Sequence, residues 1–125
     1  MLRHCFVLLA IVVTLGGCSR ARPGEELNLD ASSTLNVVNH HWGDVDVFVV
    51  RDGQRQRVGT VTAAGEENFE LNPSLTKGSG TLQLQAHAVG SSGGISSEQI
   101  NVRPGGMQIT WTLESNLSRA TLAIY

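Results

Sequence analysis

The sequence predicts an all-β domain built as an antiparallel two-sheet sandwich. Three observations carry this prediction. Apolar and polar residues alternate in several segments after residue 33, which is the period of a half-buried strand. No segment there sustains the 3.6-residue period of an amphipathic helix. Turn-forming residues recur about every eight to twelve positions, a spacing typical of sandwiches with about seven or eight short strands.

The strands can be placed in order along residues 34–125. We predict them at residues 34–39, 45–50, 54–62, 67–71, 81–88, 95–102, 107–114 and 120–124. Alternation is clearest in the strands at residues 81–88 and 107–114. The inward-facing residues are Leu82, Leu84, Ala86 and Ala88 in the first, and Met107, Ile109, Trp111 and Leu113 in the second. Trp111 is then the large aromatic residue of the core.

The strongest hairpin signal is Asp52-Gly53, which follows the strand at residues 45–50. This dipeptide accepts the positive φ angles of a tight turn. In the returning strand, Gly59 marks a bulge that shifts the register between Val58 and Val61. The other turns fall at residues 72–74, 78–80, 91–94 and 104–106, which are rich in Gly, Pro, Ser and Asn.

The composition fits one small domain. The chain has 125 residues, of which 41% are hydrophobic and 16% charged, and its formal net charge is -2. This length allows one domain rather than two, and the hydrophobic content excludes a disordered chain. Because there is no basic excess, we expect no nucleic-acid partner.

The first seventeen residues have the layout of a secretory signal peptide. A cationic start with Arg3 precedes an apolar run from Cys5 to Leu15, which small residues follow. As a helix, this run of eleven residues would span roughly 16 Å, about half of a bilayer's hydrocarbon core. We therefore expect residues 1–17 to be removed rather than to remain as a membrane span.

Leu15-Gly16-Gly17-Cys18 resembles the lipobox of bacterial lipoproteins. The resemblance implies that Cys18 is lipidated on its thiol, for example with palmitate, and becomes the acylated first residue of the mature protein. Each buried methylene adds about 0.8 kcal/mol, so two or three acyl chains form a stable anchor. Ser19, in place of an aspartate, implies the outer membrane, on the side facing the periplasm. The alternative is an ordinary signal peptide followed by an unmodified cysteine.

Residues 18–33 are interpreted as the lipidated terminus and a flexible tether, because they are polar and contain Pro23-Gly24. Fifteen flexible residues have an end-to-end distance of roughly 20 Å. Since Cys5 lies in the leader and Cys18 would carry lipid, we expect no disulfide in the mature domain. The domain at residues 34–125 must then fold on its core alone.

Strand number and turn spacing favour a sandwich of immunoglobulin-like or transthyretin-like type, with a small closed barrel as the alternative. The domain also resembles small, largely uncharacterised lipoproteins of bacteria, through residues 44–61 and through the strand end at residues 111–117. The resemblance implies location in the cell envelope and this fold, and it implies no activity.

Residues 39–46, between two predicted strands, contain the candidate ligand-binding residues of the chain. They are His40, His41, Trp42, Asp44 and Asp46. Imidazole and carboxylate groups suit zinc or another divalent transition metal. Adjacent histidines of an extended chain point to opposite faces, however, and converge only where the chain bends. We therefore interpret them as solvent-facing loop residues and expect no metal, with His40, His41 and Asp44 as weak candidates.

Trp42 admits two interpretations. Beside His41 it could form an exposed platform on which a sugar ring or a peptide stacks. The interpretation that we favour places Trp42 in the core, at one end of the sandwich. Calcium binding by Asp44 and Asp46 has weak support, because two carboxylates without a glycine-bearing acidic loop are not a specific pattern.

Three arginines, Arg51, Arg55 and Arg57, surround the predicted hairpin turn, and two of them share one strand face. They could contact anionic headgroups or an acidic partner. Three charges at a hairpin tip are, however, typical of a solvated face that prevents edge pairing. We favour this second interpretation.

We predict a non-enzymatic envelope lipoprotein that acts as a structural or protein-interaction module, because no nucleophile can be assigned a base and an orienting group. We expect no cofactor. The partners are the membrane, through the lipid anchor, and an envelope protein. The alternative is a ligand-binding module, for divalent metal or carbohydrate, centred on His40, His41, Trp42 and Asp44.

Overall fold

The computed structural model describes residues 31–125. The predicted signal peptide, the predicted lipidation residue Cys18 and the tether up to residue 30 lie outside the described residues. Ser33, the last residue of the predicted tether, is buried in the domain. Its Oγ accepts a hydrogen bond from Met107 N at 3.0 Å, and its carbonyl accepts one from Leu71 N at 2.8 Å. These two bonds make Ser33 part of the folded unit.

The described residues form nine strands and one short helix. Their bounds are β1 Thr34–Asn39, β2 Val45–Arg51, β3 Gln54–Val61, β4 Glu66–Glu70, α1 Pro73–Thr76, β5 Thr81–Ala88, β6 Gly94–Ser96, β7 Ile100–Asn101, β8 Gln108–Leu113 and β9 Ala120–Ile124. The first sheet has the order β4-β1-β8-β9. The second has the order β3-β2-β5-β6, and β7 also pairs with β5.

The predicted all-β two-sheet sandwich is confirmed, with one pair of strands in an unexpected direction. β1 and β8 run parallel, with Thr34 opposite Gln108 and Asn39 opposite Leu113. The remaining described pairs are antiparallel. A parallel pair leaves the alternation of buried and exposed residues in each strand unchanged, so the sequence pattern carries no sign of it.

The core lies between the two sheets and contains the residues that alternation placed inward. The inward residues of the two clearest strands, the four of β5 and the four from Met107 to Leu113, are all buried. Trp111 is 1% exposed and is the largest fully buried side chain. The prediction that it fills the core is therefore confirmed.

The β2–β3 hairpin also follows the prediction. Asp52 and Gly53 have φ angles of 51° and 74°, so both central turn residues adopt the left-handed conformation. The register shifts where Val47 faces Gly59 and the next residue, Phe48, faces Arg57, so the extra residue of the bulge is Val58, next to the predicted Gly59. A Cβ on Gly59 would lie 2.5 Å from Cε1 of Phe69 in β4, which explains glycine at this position.

Two segments differ from the sequence prediction. The single strand predicted at residues 95–102 is split into β6 and β7. Ser97 interrupts it, because its N–H donates to Leu84 O at 2.8 Å and its Oγ accepts from Leu84 N at 2.9 Å. The turn at residues 72–74 opens α1, where Asn72 Oδ1 accepts from Ser74 N at 3.0 Å. Within residues 31–125, no helix has the length and apolar character needed to cross a bilayer.

Strand direction places the loops at two ends of the sandwich. The loops at residues 40–44, 62–65 and 89–93 meet at one end, which we call the Trp42 end. Residues 31–33, α1 and Tyr125 lie at the opposite end, where β1 begins. The six residues of β1 span roughly 20 Å. The chain therefore enters the domain at the end opposite Trp42.

Candidate functional site

The loop between β1 and β2 is organised by Asn39, the last residue of β1. Asn39 is buried, and its Nδ2 donates to the carbonyls of Gly43 and Thr62, each at 3.0 Å. Its Oδ1 accepts from the backbone N–H of His41 at 2.9 Å. One amide side chain thus fixes both the start and the turn of the loop and ties it to the end of β3. Sequence reasoning missed this residue, because a single asparagine at a strand end carries no specific signal.

His41 is buried at 7% exposure, so its interpretation as a solvent-facing residue is wrong. Its Nδ1 accepts a hydrogen bond from Gly43 N at 3.2 Å. Its carbonyl accepts from Ala64 N at 3.1 Å, which joins the loop at residues 40–44 to the loop at residues 62–65. The imidazole is thus folded back onto its own loop, whereas the neighbouring His40 is exposed.

Trp42 is 81% exposed, so its placement in the core is wrong. The hydrogen bonds of Asn39 and His41 hold the loop in a bend that turns the indole outward. Its ring lies beside the His41 ring, with centroids 5.0 Å apart and an interplanar angle of 39°. A second exposed apolar residue, Val89, lies at the same end and is 55% exposed. Its N–H donates to Asp44 O at 2.9 Å.

Asp44 braces the same loops. Its exposed side chain accepts a hydrogen bond through Oδ1 from Ala63 N at 2.9 Å, while its carbonyl holds Val89. The structure therefore brings His41, Trp42 and Asp44 together as parts of one hydrogen-bonded loop. Among the residues described, no group of three or more His, Cys, Asp or Glu side chains is placed to hold a metal ion.

Asp46 is in β2, on the outer face of the second sheet, and forms a pair with Arg57 rather than with Asp44. Its Oδ1 accepts from Thr60 Oγ1 at 2.5 Å and from Arg57 Nη2 at 2.8 Å. The hydrogen bond from Thr60 and the one from Arg57 lower the pKa of Asp46 below its usual value of 3.8. These contacts stabilise the hairpin by holding β2 against β3.

The Asp46 pair predicts a small loss of stability in acid. A lowered pKa in the folded state stabilises the protein above pH 3.8, and this contribution disappears as pH falls through the folded-state pKa. Because both side chains are partly exposed, we expect less than about 1 kcal/mol. Urea unfolding should find Asp46→Asn less stable than the native chain at neutral pH and equal to it well below pH 3.8. The control Glu98→Gln, on the exposed link between β6 and β7, should leave the stability unchanged at both pH values. If Asp46→Asn remained less stable than the native chain in acid by the same amount, the result would contradict this assignment.

The three arginines near the hairpin turn have separate structural contacts. The Arg51 guanidinium donates to the carbonyls of Leu75, Lys77 and Ser79, at 2.5, 2.6 and 3.1 Å, and so holds α1 and the chain after it. Arg55 Cζ lies 3.6 Å from the centre of the Phe48 ring. Arg55 and Arg57 share the outer sheet face, as expected. Each already has a contact within the domain, Arg55 with Phe48 and Arg57 with Asp46.

The loop at residues 90–94 has the spacing Gly-x-Ser-x-Gly. A nucleophile elbow places such a serine at a sharp turn between a strand and a helix. Here the segment joins two strands, β5 and β6, and Ser91 Oγ accepts from Gly93 N at 3.2 Å as in a turn. Ser91 therefore acts as a turn residue, and the strand-to-helix setting of an elbow is not present at this loop.

Comparison with protein-family models and with curated proteins found no match. Among solved structures, the chain is similar to one described as the NMR structure of the protein from Eubacterium rectale. The two share 17% sequence identity, with a TM-score of 0.45, over 84% of this chain and 92% of that chain.

Proposed function

We propose that this protein is a lipid-anchored envelope lipoprotein whose sandwich domain is a non-enzymatic module that binds another envelope protein through the Trp42 end. The observation that carries the proposal is the 81% exposed indole of Trp42 on a loop fixed by the hydrogen bonds of the buried Asn39 side chain. Tryptophan is enriched among the residues that dominate binding energy at protein interfaces. A rigid loop also loses little conformational entropy on binding.

The position of Trp42 supports the proposed anchor geometry. The described chain begins at the opposite end of the sandwich, so a tether from Cys18 would approach the domain there. The Trp42 end would then face away from the membrane, toward proteins in the surrounding compartment. Val89, which Asp44 holds at the same end, extends the apolar surface beside the loop.

The anchor is tested by replacing Cys18 with serine in the full-length chain. We expect the native protein in the membrane fraction and Cys18→Ser in the soluble fraction, or held only by an uncut leader, because serine cannot carry a thioether-linked lipid. Mass spectrometry of the native amino terminus should find acylated Cys18. Cys5→Ser is the matched control, since Cys5 lies in the predicted leader. Membrane retention of a Cys18→Ser chain whose leader has been cut would contradict the anchor.

A carbohydrate-binding module is the second candidate, and the exposed indole face of Trp42 is the observation that favours it. A sugar ring would stack on that face and change the Trp42 emission, whereas Trp111 is buried and would not respond. Titration with envelope glycans, with Trp42→Ala as the control, separates this candidate from protein binding.

A further inference from the structure

β9 is an edge strand with one side of its backbone unpaired among the described residues. Gln108 and Tyr125 exchange both of their backbone hydrogen bonds, at 3.1 and 2.9 Å. Such pairs recur every second residue, so Thr121 and Ala123 also direct their N–H and C=O groups to β8. The backbone N–H and C=O groups of Ala120, Leu122 and Ile124 therefore point away from β8. Within residues 31–125, no strand pairs with that side.

The other sheet edges carry features that oppose pairing with another chain. β4 has three glutamates among its five residues. β3 carries Arg55 and Arg57 and is bent by the bulge beside Gly59. β6 and β7 have only three and two residues. β9, with the sequence ATLAI, has no charge, proline or bulge, so it is the edge best suited to accept a strand.

We propose that β9 pairs antiparallel with β9 of a second copy of this chain, about a two-fold axis at Leu122. In this register the two Leu122 residues face each other and exchange both backbone hydrogen bonds. Ala120 does the same with Ile124 of the second copy. The first sheets of the two copies would join into one continuous sheet, and the interface would be isologous.

Side-chain size favours this register. On the core-facing side, Ala120 lies opposite Ile124 of the second copy, so a small residue meets a large one. On the outer side, Thr121 lies opposite Ala123 of the second copy. Leu122 and Ile124 are only half-buried in the single chain, and pairing would cover their exposed parts. Because the strand is uncharged, self-pairing brings no like charges together.

The residues that flank β9 favour a second copy over an unrelated strand. The same register places Tyr125, which is 78% exposed, opposite Arg119 of the second copy, and the pair occurs twice by symmetry. Both residues belong to the outer side of the sheet, as Thr121 and Ala123 do. A guanidinium over a tyrosine ring is a favourable cation–π contact. The pairing would thus give the exposed Tyr125 ring a partner.

Disulfide trapping tests the register. The full-length chain carrying Cys5→Ser and Cys18→Ser contains no other cysteine, so trapping is independent of the lipid anchor. Thr121→Cys and Ala123→Cys chains with different tags are mixed and oxidised. Directly opposed residues of a pair without backbone hydrogen bonds have Cα atoms about 4.5 Å apart, within the range of disulfides. We expect a mixed dimer to form well above the level of the control Thr110→Cys, which lies in the inner strand β8.

A second pair of variants separates pairing from fold stability. Leu122→Ala and Leu122→Pro both remove the leucine side chain, but only proline removes the N–H that points to the second copy. Proline is tolerated on an edge where its position faces outward. We expect trapping to persist in Leu122→Ala and to fall to the control level in Leu122→Pro, with both variants folded by circular dichroism.

Three outcomes would overturn the proposal. The first is trapping no greater than in the Thr110→Cys control, and the second is trapping that Leu122→Pro leaves unchanged. The third is a disulfide to a different protein when the single-cysteine chains are oxidised in intact cells.

Discussion

Replacing Trp111 with alanine is expected to lower the free energy of unfolding by about 3 to 5 kcal/mol. Trp111 is 1% exposed and lies in β8, which pairs with β1 on one side and with β9 on the other. Its removal leaves a cavity between the sheets that the surrounding strands can fill only in part. Small domains have about 5 to 15 kcal/mol of total stability, so this loss would be a large fraction of it. Urea unfolding of the full-length chain measures it.

The chain contains its own matched control for this experiment. It has two tryptophans, and the second, Trp42, is 81% exposed. Trp42→Ala should change stability by less than about 0.5 kcal/mol, because it removes few contacts within the domain. A cost for Trp42→Ala comparable to that for Trp111→Ala would contradict the assignment of one tryptophan to the core and the other to the surface.

Replacing Asn39 with alanine is expected to cost about 2 to 4 kcal/mol and to release the loop that carries Trp42. The buried N–H of His41 and the carbonyls of Gly43 and Thr62 would lose the hydrogen bonds that Asn39 provides. Each buried polar group left without a partner costs about 1 to 3 kcal/mol, and water that enters the loop would reduce the sum. Urea unfolding gives the cost, and hydrogen exchange at residues 40–44 reports the release of the loop.

Asn36 provides the matched control for Asn39. It lies in the same strand but on the outer face, and its Nδ2 donates to the exposed side chains of Glu66 and Asn68. Asn36→Ala should therefore cost less than about 1 kcal/mol and leave exchange at residues 40–44 unchanged. Equal costs for the two asparagines would contradict the role of Asn39 as the organiser of the loop.

The sequence predicted the strands and the core well because both depend on alternation. In β5 and β8, each inward position is set by a period of two, and a shift of one residue would expose the whole core face. The hairpin was predictable for a related local reason, since Asp52 and Gly53 accept the φ angles that the turn requires. These features follow from neighbours along the chain.

The features that sequence reasoning missed depend on contacts between distant segments. The orientation of Trp42 is decided by Asn39, which binds the carbonyl of Thr62, and no period applies within a loop. Hydrophobicity alone would place an indole in the core, but the bend at residues 41–43 turns it outward. The burial of His41 and the parallel pairing of β1 with β8 have the same origin, because each is set by tertiary contacts.

The measurement that tests the central claim most directly is site-specific photo-cross-linking in intact envelopes. A photoreactive residue at position 89 lies beside the Trp42 loop, and one at position 77 lies at the opposite end of the domain. Both are introduced into the full-length chain with Cys18 intact, and again with Trp42→Ala. We predict a cross-linked envelope protein from position 89 that is absent from position 77 and lost in Trp42→Ala. The same cross-linked protein, in equal yield from both positions or undiminished by Trp42→Ala, would contradict a binding module that acts through the Trp42 end.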